Sequence, residues 1–161
     1  VDPKKMVDVF VEAEKHRGTS LVEILQNCVI FNDKVFSAIT EKEGKFDNQL
    51  WLEHGKPMIF GKENNKGIRL NGLKLEVVTI GENGITENDI LIHDAYCEDD
   101  TLHNMLVNMT LPEMPVAFGV IRSVKASTFN DKLWEQISHE KTKAKFSSID
   151  EIVNSGVTWE I

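Results

Sequence analysis

Residues 68–77 constrain the fold of this chain more than any other segment. Ile68-Arg69-Leu70 and Leu73-Lys74-Leu75-Glu76-Val77 alternate apolar and polar side chains, and Asn71-Gly72 lies between them. Asn-Gly is the preferred sequence of a tight two-residue turn because both residues tolerate positive φ. The segment therefore predicts a β-hairpin around Asn71-Gly72.

The composition is that of an ordinary globular protein. The 161 residues suffice for one domain, or one domain with an appendage. Lys and Arg total 18 against 26 Asp and Glu, a formal charge of −8, which disfavours a nucleic-acid or anionic membrane partner because both need a basic surface. No apolar stretch approaches the roughly 18 residues that a bilayer crossing requires. Two cysteines cannot make a disulfide framework, so we expect a cytoplasmic protein.

The N-terminal region has the pattern of an α/β protein. Asp2-Pro3 precedes apolar residues spaced three and four apart, which predicts a helix over about residues 3–17 that ends before Gly18. Residues 19–25 form a mostly apolar run, typical of a strand covered on both faces of a parallel sheet. A helix followed at once by such a strand is the second half of a βαβ crossover, whose first strand is not in this sequence.

The rest of the chain contains shorter elements. Residues 32–66 are polar with small apolar clusters, which predicts irregular or short-helix structure. We expect a short edge strand at 89–92, a helix over 98–109 from its apolar spacing, and a strand over 116–124 after two prolines. The last 35 or so residues predict helical pieces that lie on a partner surface.

Cys28 is the most informative single residue for function. It lies just beyond the carboxyl end of the predicted strand 19–25, where ligands of open α/β sheets collect. The alternative is a buried structural thiol, because free cysteines are among the most buried residues. A complete iron–sulfur or zinc site would need about three more ligands at recognisable spacing, and the sequence has none.

Other candidate residues indicate no catalytic site. Cys97 lies among carboxylates, and we expect it to be inert. His93-Asp94 predicts a solvated loop, because adjacent side chains of an extended segment point to opposite faces. Residues 53–57 read as a polar loop, with a contact at a subunit or cofactor surface as the alternative. Residues 61–67 are not a P-loop, because no Lys-Ser or Lys-Thr follows and a strand is expected next.

Four segments of the sequence carry a resemblance to a known family. They are 18–33 (GTSLVEILQNCVIFND), 46–72 (with FDNQL, LEHGKPMIFG and KGIRLNG), 112–122, and Thr158-Trp159-Glu160. These segments resemble the β subunit of the 2-oxoacid:ferredoxin oxidoreductases, near the end of its thiamine-diphosphate domain and in the segment that follows. The resemblance covers nearly the whole chain, and its first two blocks are specific. Residues 46–72 are more similar to the 2-oxoglutarate type than to the pyruvate type.

The resemblance implies a fold and a set of cofactors. Residues 1–31 would end a doubly wound, thiamine-diphosphate-binding α/β domain, and residues 32–161 would form a C-terminal domain with a β-hairpin and short helices. The family binds thiamine diphosphate with magnesium and a 4Fe–4S cluster, and Cys28 matches the fourth cluster ligand. Its partners are an α subunit, ferredoxin, coenzyme A and a 2-oxoacid, which is oxidatively decarboxylated to an acyl-coenzyme A.

Two departures from the family pattern bear on activity. The Gly-Asp-Gly motif that holds magnesium and diphosphate is absent from this sequence, and so are the three other cluster cysteines. We therefore expect the chain to be the C-terminal part of a 2-oxoglutarate:ferredoxin oxidoreductase β subunit, inactive alone. The alternatives are the pyruvate-type enzyme of the same family, and a stand-alone, non-catalytic binding or assembly module.

Overall fold

A computed structural model describes residues 2–157 and Trp159 of the chain, so Thr158 and Glu160 of the closing motif lie outside the described residues. The fold is mixed α/β, as expected, and it divides into two compact units, residues 1–125 and 126–161. The helices are α1 Pro3–Lys15, α2 Ser37–Thr40, α3 Lys45–Asn48, α4 Thr101–Val107, α5 Phe129–Lys143 and α6 Ile149–Val153, with a 3-10 turn at Glu87–Asp89. The strands are β1 Gln49–Leu52, β2 Ile59–Phe60, β3 Lys66–Asn71, β4 Lys74–Thr79 and β5 Val116–Gly119.

The predicted N-terminal helix is confirmed as α1. The Asp2 carboxylate accepts hydrogen bonds from the backbone N–H groups of Lys4 and Lys5, at 3.1 and 3.3 Å, and Pro3 occupies the first turn. These groups satisfy donors that a helix start leaves without an intrahelical acceptor. No residue of α1 is buried, so its apolar side chains are without a full packing partner among the described residues.

The prediction of a buried strand over residues 19–25 is wrong for this chain. The segment has no strand pairing, and Leu21 is 96% exposed. A parallel strand exists only through hydrogen bonds to neighbouring strands, and no described residue supplies such a neighbour here. The assignment of residues 1–31 to a thiamine-diphosphate domain, and the boundary at residue 31, stay predictions.

The predicted hairpin is confirmed, with its turn one residue later than expected. β3 and β4 are antiparallel, and Asn71 pairs with Lys74, so Gly72 and Leu73 form the two-residue turn. Gly72 has a φ of 61°, the positive value that the first position of a type II′ turn requires. β2 pairs with the other side of β3 and completes a three-stranded antiparallel sheet.

A second sheet consists of β1 and β5, which pair in parallel. β1 was not predicted, since only irregular or short-helix structure was expected in residues 32–66. The predicted strand 116–124 is confirmed only in its first four residues, which form β5. One hydrophobic core joins the two sheets and α4, and its buried members are Leu50, Leu52, Met58, Phe60, Ile68, Val78, Ile90, Leu106 and Met109.

The remaining predictions are confirmed in part. The helix expected over 98–109 is α4, which is shorter at both ends. Residues 89–92 form no named strand, although the Leu91 N–H donates to the Ile68 carbonyl at 2.9 Å and Ile92 makes an isolated bridge with Pro57. The helical pieces expected near the C-terminus are α5 and α6, and none of the described residues of that unit is buried.

We predict that Gly119→Ala lowers the free energy of unfolding by about 1–3 kcal/mol, because the position combines positive φ with a close backbone contact. Gly119 has a φ of 99°, and an added Cβ would lie 2.6 Å from the Leu52 carbonyl oxygen. Urea unfolding of the variant measures the loss.

Gly81→Ala is the matched control for this substitution. Gly81 has a φ of 90°, but an added Cβ would have no atom within 4 Å, so the control carries only the backbone strain. Equal losses of unfolding free energy in the two variants would contradict the prediction. They would show that the close approach of Gly119 to the Leu52 carbonyl adds nothing to the cost of an added Cβ.

Candidate functional site

Cys28 begins a tight turn of the chain. The Asn32 N–H donates to the Cys28 carbonyl at 2.9 Å, and the two residues form an isolated antiparallel bridge. The Asn27 side-chain amide donates to the Asp33 carboxylate at 2.9 Å just outside this bridge. The polar residues therefore close the turn from both sides and leave residues 29–31 at its tip.

The Cys28 thiol is exposed, so the alternative of a buried structural thiol is wrong. Hydrogen bonds from the backbone N–H groups of Phe31, Ile30 and Asn32 lower the pKa of the Cys28 thiol, that of Phe31 most, and desolvation opposes them. The turn thus favours the thiolate, which is the form that binds metals and attacks electrophiles.

The residues next to Cys28 in the sequence include apolar side chains that face solvent. Val29 and Ile30 are exposed, and Phe31 is 90% exposed at the tip of the turn. Leu21 and Ile24 in the preceding segment are exposed as well. Contiguous exposed apolar residues of this kind mark interaction surfaces in soluble proteins.

No further metal ligands accompany Cys28 in the part of the chain that the structure describes. Within residues 2–157 and Trp159, no group of three or more His, Cys, Asp or Glu side chains could hold a metal ion. Cys97 is also free and exposed. Cys28 can therefore contribute one ligand to a metal centre, and the described residues do not complete such a centre.

The prediction of a solvated loop at His93-Asp94 is wrong for His93. Its side chain is buried, with 1% exposed, and its Nε2 lies 2.9 Å from the Val120 carbonyl oxygen. The two side chains do point to opposite faces, and that of Asp94 is exposed. When another element covers an extended segment, one of two adjacent side chains faces inward. Here the chain just beyond β5 covers the segment, and His93 is the residue that faces it.

His103 on α4 is a second buried histidine, which the sequence analysis missed. Its Nε2 lies 2.8 Å from the Asp94 carbonyl oxygen, and its ring meets that of His93 edge to face, with centroids 6.2 Å apart. His103 is three residues from the fully buried Leu106, and this helical spacing was a signal of its burial. Desolvation lowers the pKa of His93.

The loop at residues 53–57 contacts the segment that follows His93. The Ala95 N–H donates to the His54 Nδ1 at 3.3 Å, and the Asp94 carboxylate lies 3.3 Å from the same nitrogen. The His54 and Tyr96 rings are 4.3 Å apart between centroids. His54 is half exposed and contacts no nucleophile, so the loop has a structural contact and no catalytic constellation.

Residues 61–67 run into a strand, as predicted. β3 begins at Lys66, so no helix N-terminus follows the second glycine and the P-loop remains excluded.

No helix among the described residues is long and apolar enough to cross a membrane.

Comparison with known proteins gives one informative match. The chain is 29% identical over 163 residues to the 2-oxoglutarate oxidoreductase subunit KorB of Mycobacterium tuberculosis, and the match covers 99% of this chain and 43% of that protein. The chain thus spans less than half the length of this relative. No family model matches, and no solved structure matches. The match confirms the resemblance that the sequence motifs indicated.

We predict that iodoacetamide alkylates Cys28 with a pH midpoint below that of an ordinary thiol, about 8.5, because the backbone N–H groups lower its pKa. The rate should stay high as the pH falls from about 8.5 and decline only at a lower pH. The measurement uses Cys97→Ser, in which Cys28 is the single thiol. An alkylation profile identical to that of a free cysteine would contradict the turn geometry.

Proposed function

We propose that the chain is the C-terminal part of the β subunit of a 2-oxoglutarate:ferredoxin oxidoreductase. The observation that carries this proposal is the similarity to the KorB subunit, which extends over 99% of the chain and so includes both the Cys28 turn and the hairpin. The enzyme would oxidatively decarboxylate a 2-oxoacid to an acyl-coenzyme A and reduce ferredoxin.

Cys28 would supply one thiolate to a 4Fe–4S cluster. Its exposure, its lowered pKa and the N–H groups around its sulfur all suit a cluster ligand, because such ligands bind as thiolates and their sulfurs accept hydrogen bonds. The cluster, when bound, passes electrons one at a time to ferredoxin. The other three ligands would come from the rest of the subunit, because the described residues hold no further ligand group.

Thiamine diphosphate and magnesium would be held outside this chain. The sequence has no Gly-Asp-Gly motif, and no described cluster of acidic or histidine side chains fits the metal. Residues 1–31 would then end the thiamine-diphosphate domain, and the exposed Leu21 and Ile24 would pack inside it. Residues 32–161 would form the C-terminal domain of the subunit.

The partners follow from the same proposal. An α subunit, ferredoxin, coenzyme A and the 2-oxoacid would complete the reaction, and the chain alone would be inactive. The two unpaired cysteines suit the reducing cytoplasm.

The alternative is a stand-alone binding or assembly module without catalysis. The described residues contain no group of three or more side chains that could hold a metal ion, which is the observation in its favour. A stable, monomeric chain free of cofactors would support the module, whereas the exposed apolar segment around Cys28 favours a covered position in a larger subunit.

We predict that Cys28→Ser in the complete subunit removes cluster iron and abolishes dye reduction, because three remaining ligands and a serine do not hold the cluster normally. Iron content and the visible absorption of the anaerobically purified complex measure the loss. Cys97→Ser is the matched control and should retain both iron and activity. Unchanged iron in Cys28→Ser would refute the ligand assignment.

We predict coenzyme A-dependent reduction of a viologen dye with 2-oxoglutarate when the complete subunit is co-expressed with its partner subunit without oxygen. A preference for pyruvate would keep the reaction and correct the substrate. Failure to reduce the dye with either oxoacid, in a complex that contains thiamine diphosphate and iron, would refute the enzyme and favour the binding module.

A further inference from the structure

His93 and His103 form a buried pair that the proposed chemistry does not use. Both side chains are at least nine-tenths buried, with 1% and 3% exposed. Each Nε2 faces a backbone carbonyl oxygen, that of Val120 for His93 and that of Asp94 for His103. The Nδ1 atoms of both rings are buried without a hydrogen-bond partner.

The two carbonyl contacts determine where each neutral ring carries its proton. A carbonyl oxygen only accepts hydrogen bonds, so each Nε2 must be the N–H donor and each Nδ1 must be the bare nitrogen. An added proton would therefore go to Nδ1, inside the core and without an acceptor. A buried cation without a partner strongly destabilises the packed state.

These histidines hold three parts of the fold together. His93 connects the segment after residue 92 to the chain just beyond β5, and His103 connects α4 to the same segment. The Ser123 N–H donates to the Ala95 carbonyl at 2.7 Å, and the Arg122 guanidinium donates to the Glu98 carbonyl at 3.0 Å. Three of the four contacts fasten residues 93–107 to residues 120–123, and the His103 contact fastens α4 to the segment before it.

We propose that His93, packed against the His103 ring, is an acid-sensitive latch, which holds residues 93–107 against residues 120–123 while its ring is neutral and releases them when the ring is protonated.

The charged groups around His93 oppose protonation of its ring more than they favour it. Across from His93 lie the His103 ring on α4 and His54 on the loop after β1, and both disfavour a second positive charge. Asp94 favours the charge, but its exposed carboxylate faces His54 instead of the core. The remaining charged neighbours are Lys56, whose carbonyl accepts from the His93 N–H, Arg122, Glu98 and Asp99.

The sign of the pH effect follows from the lowered pKa of His93, whose main cause is desolvation. In the opened state the ring takes up a proton at the ordinary pKa of about 6.5, whereas in the latched state its pKa is lower. The latch is therefore stable above that pH and is weakened as the pH falls below it. Protonation of His93 can raise the opening equilibrium up to about tenfold at about pH 5.5.

Hydrogen exchange of the full chain tests the latch. From about pH 7.5 to about pH 5.5, after correction for intrinsic exchange, the Ser123 and His93 amides should lose up to about tenfold in protection relative to the β3–β4 hairpin. His93→Gln keeps a side-chain N–H donor but does not titrate, so this relative loss should disappear in the variant.

His139→Gln is the matched control, because this exposed histidine of α5 lies outside the pair and should leave the native response unchanged. His54→Gln separates any contribution of the exposed His54–Asp94 contact. An equal pH response in the native chain and in His93→Gln would overturn the latch.

A second measurement needs no variant. Nitrogen-15 NMR of the His93 ring should show the Nε2–H tautomer at about pH 7.5, with protonation of its Nδ1 accompanying the loss of amide protection. The Nδ1–H tautomer in this ring, or its protonation without any loss of protection, would refute the proposal.

Discussion

The parallel pairing of β1 with β5 is the contact on which most of the first unit depends. It aligns Leu50 with Ala117 and Leu52 with Gly119, and it brings both leucines into the core. The absence of a side chain at Gly119 permits the close approach, because a Cβ there would meet the Leu52 carbonyl. The Trp51 and Phe118 rings stack beside the pair with centroids 5.2 Å apart.

The same pairing positions the buried histidines. β5 ends at Gly119, so the next residue presents its carbonyl to His93, and residues 122 and 123 then bond to the segment before α4. Each ring makes a hydrogen bond through a single nitrogen, and its other nitrogen is buried without a partner. The interior of this unit therefore contains a titratable element at the junction of its sheet and α4.

The Cys28 turn is built differently, from local contacts alone. Its bridge, its flanking amide–carboxylate bond and the donors to its sulfur all lie within residues 27–33. A short turn of this kind can present a thiolate without the core, but it cannot supply the other ligands of a metal centre. This is why the chemistry of the proposed enzyme would depend on parts of the subunit beyond these residues.

The sequence by itself determined the local elements, namely α1 with its Asp2 cap, the hairpin at Gly72 and the spacing of α4, because contacts between residues close in the chain specify each of them. It also identified Cys28 and the family resemblance. Only the tertiary structure decided that β1 is a strand and that His93 and His103 are buried together. These outcomes depend on partners many residues away, and the absence of such a partner left residues 19–25 unpaired.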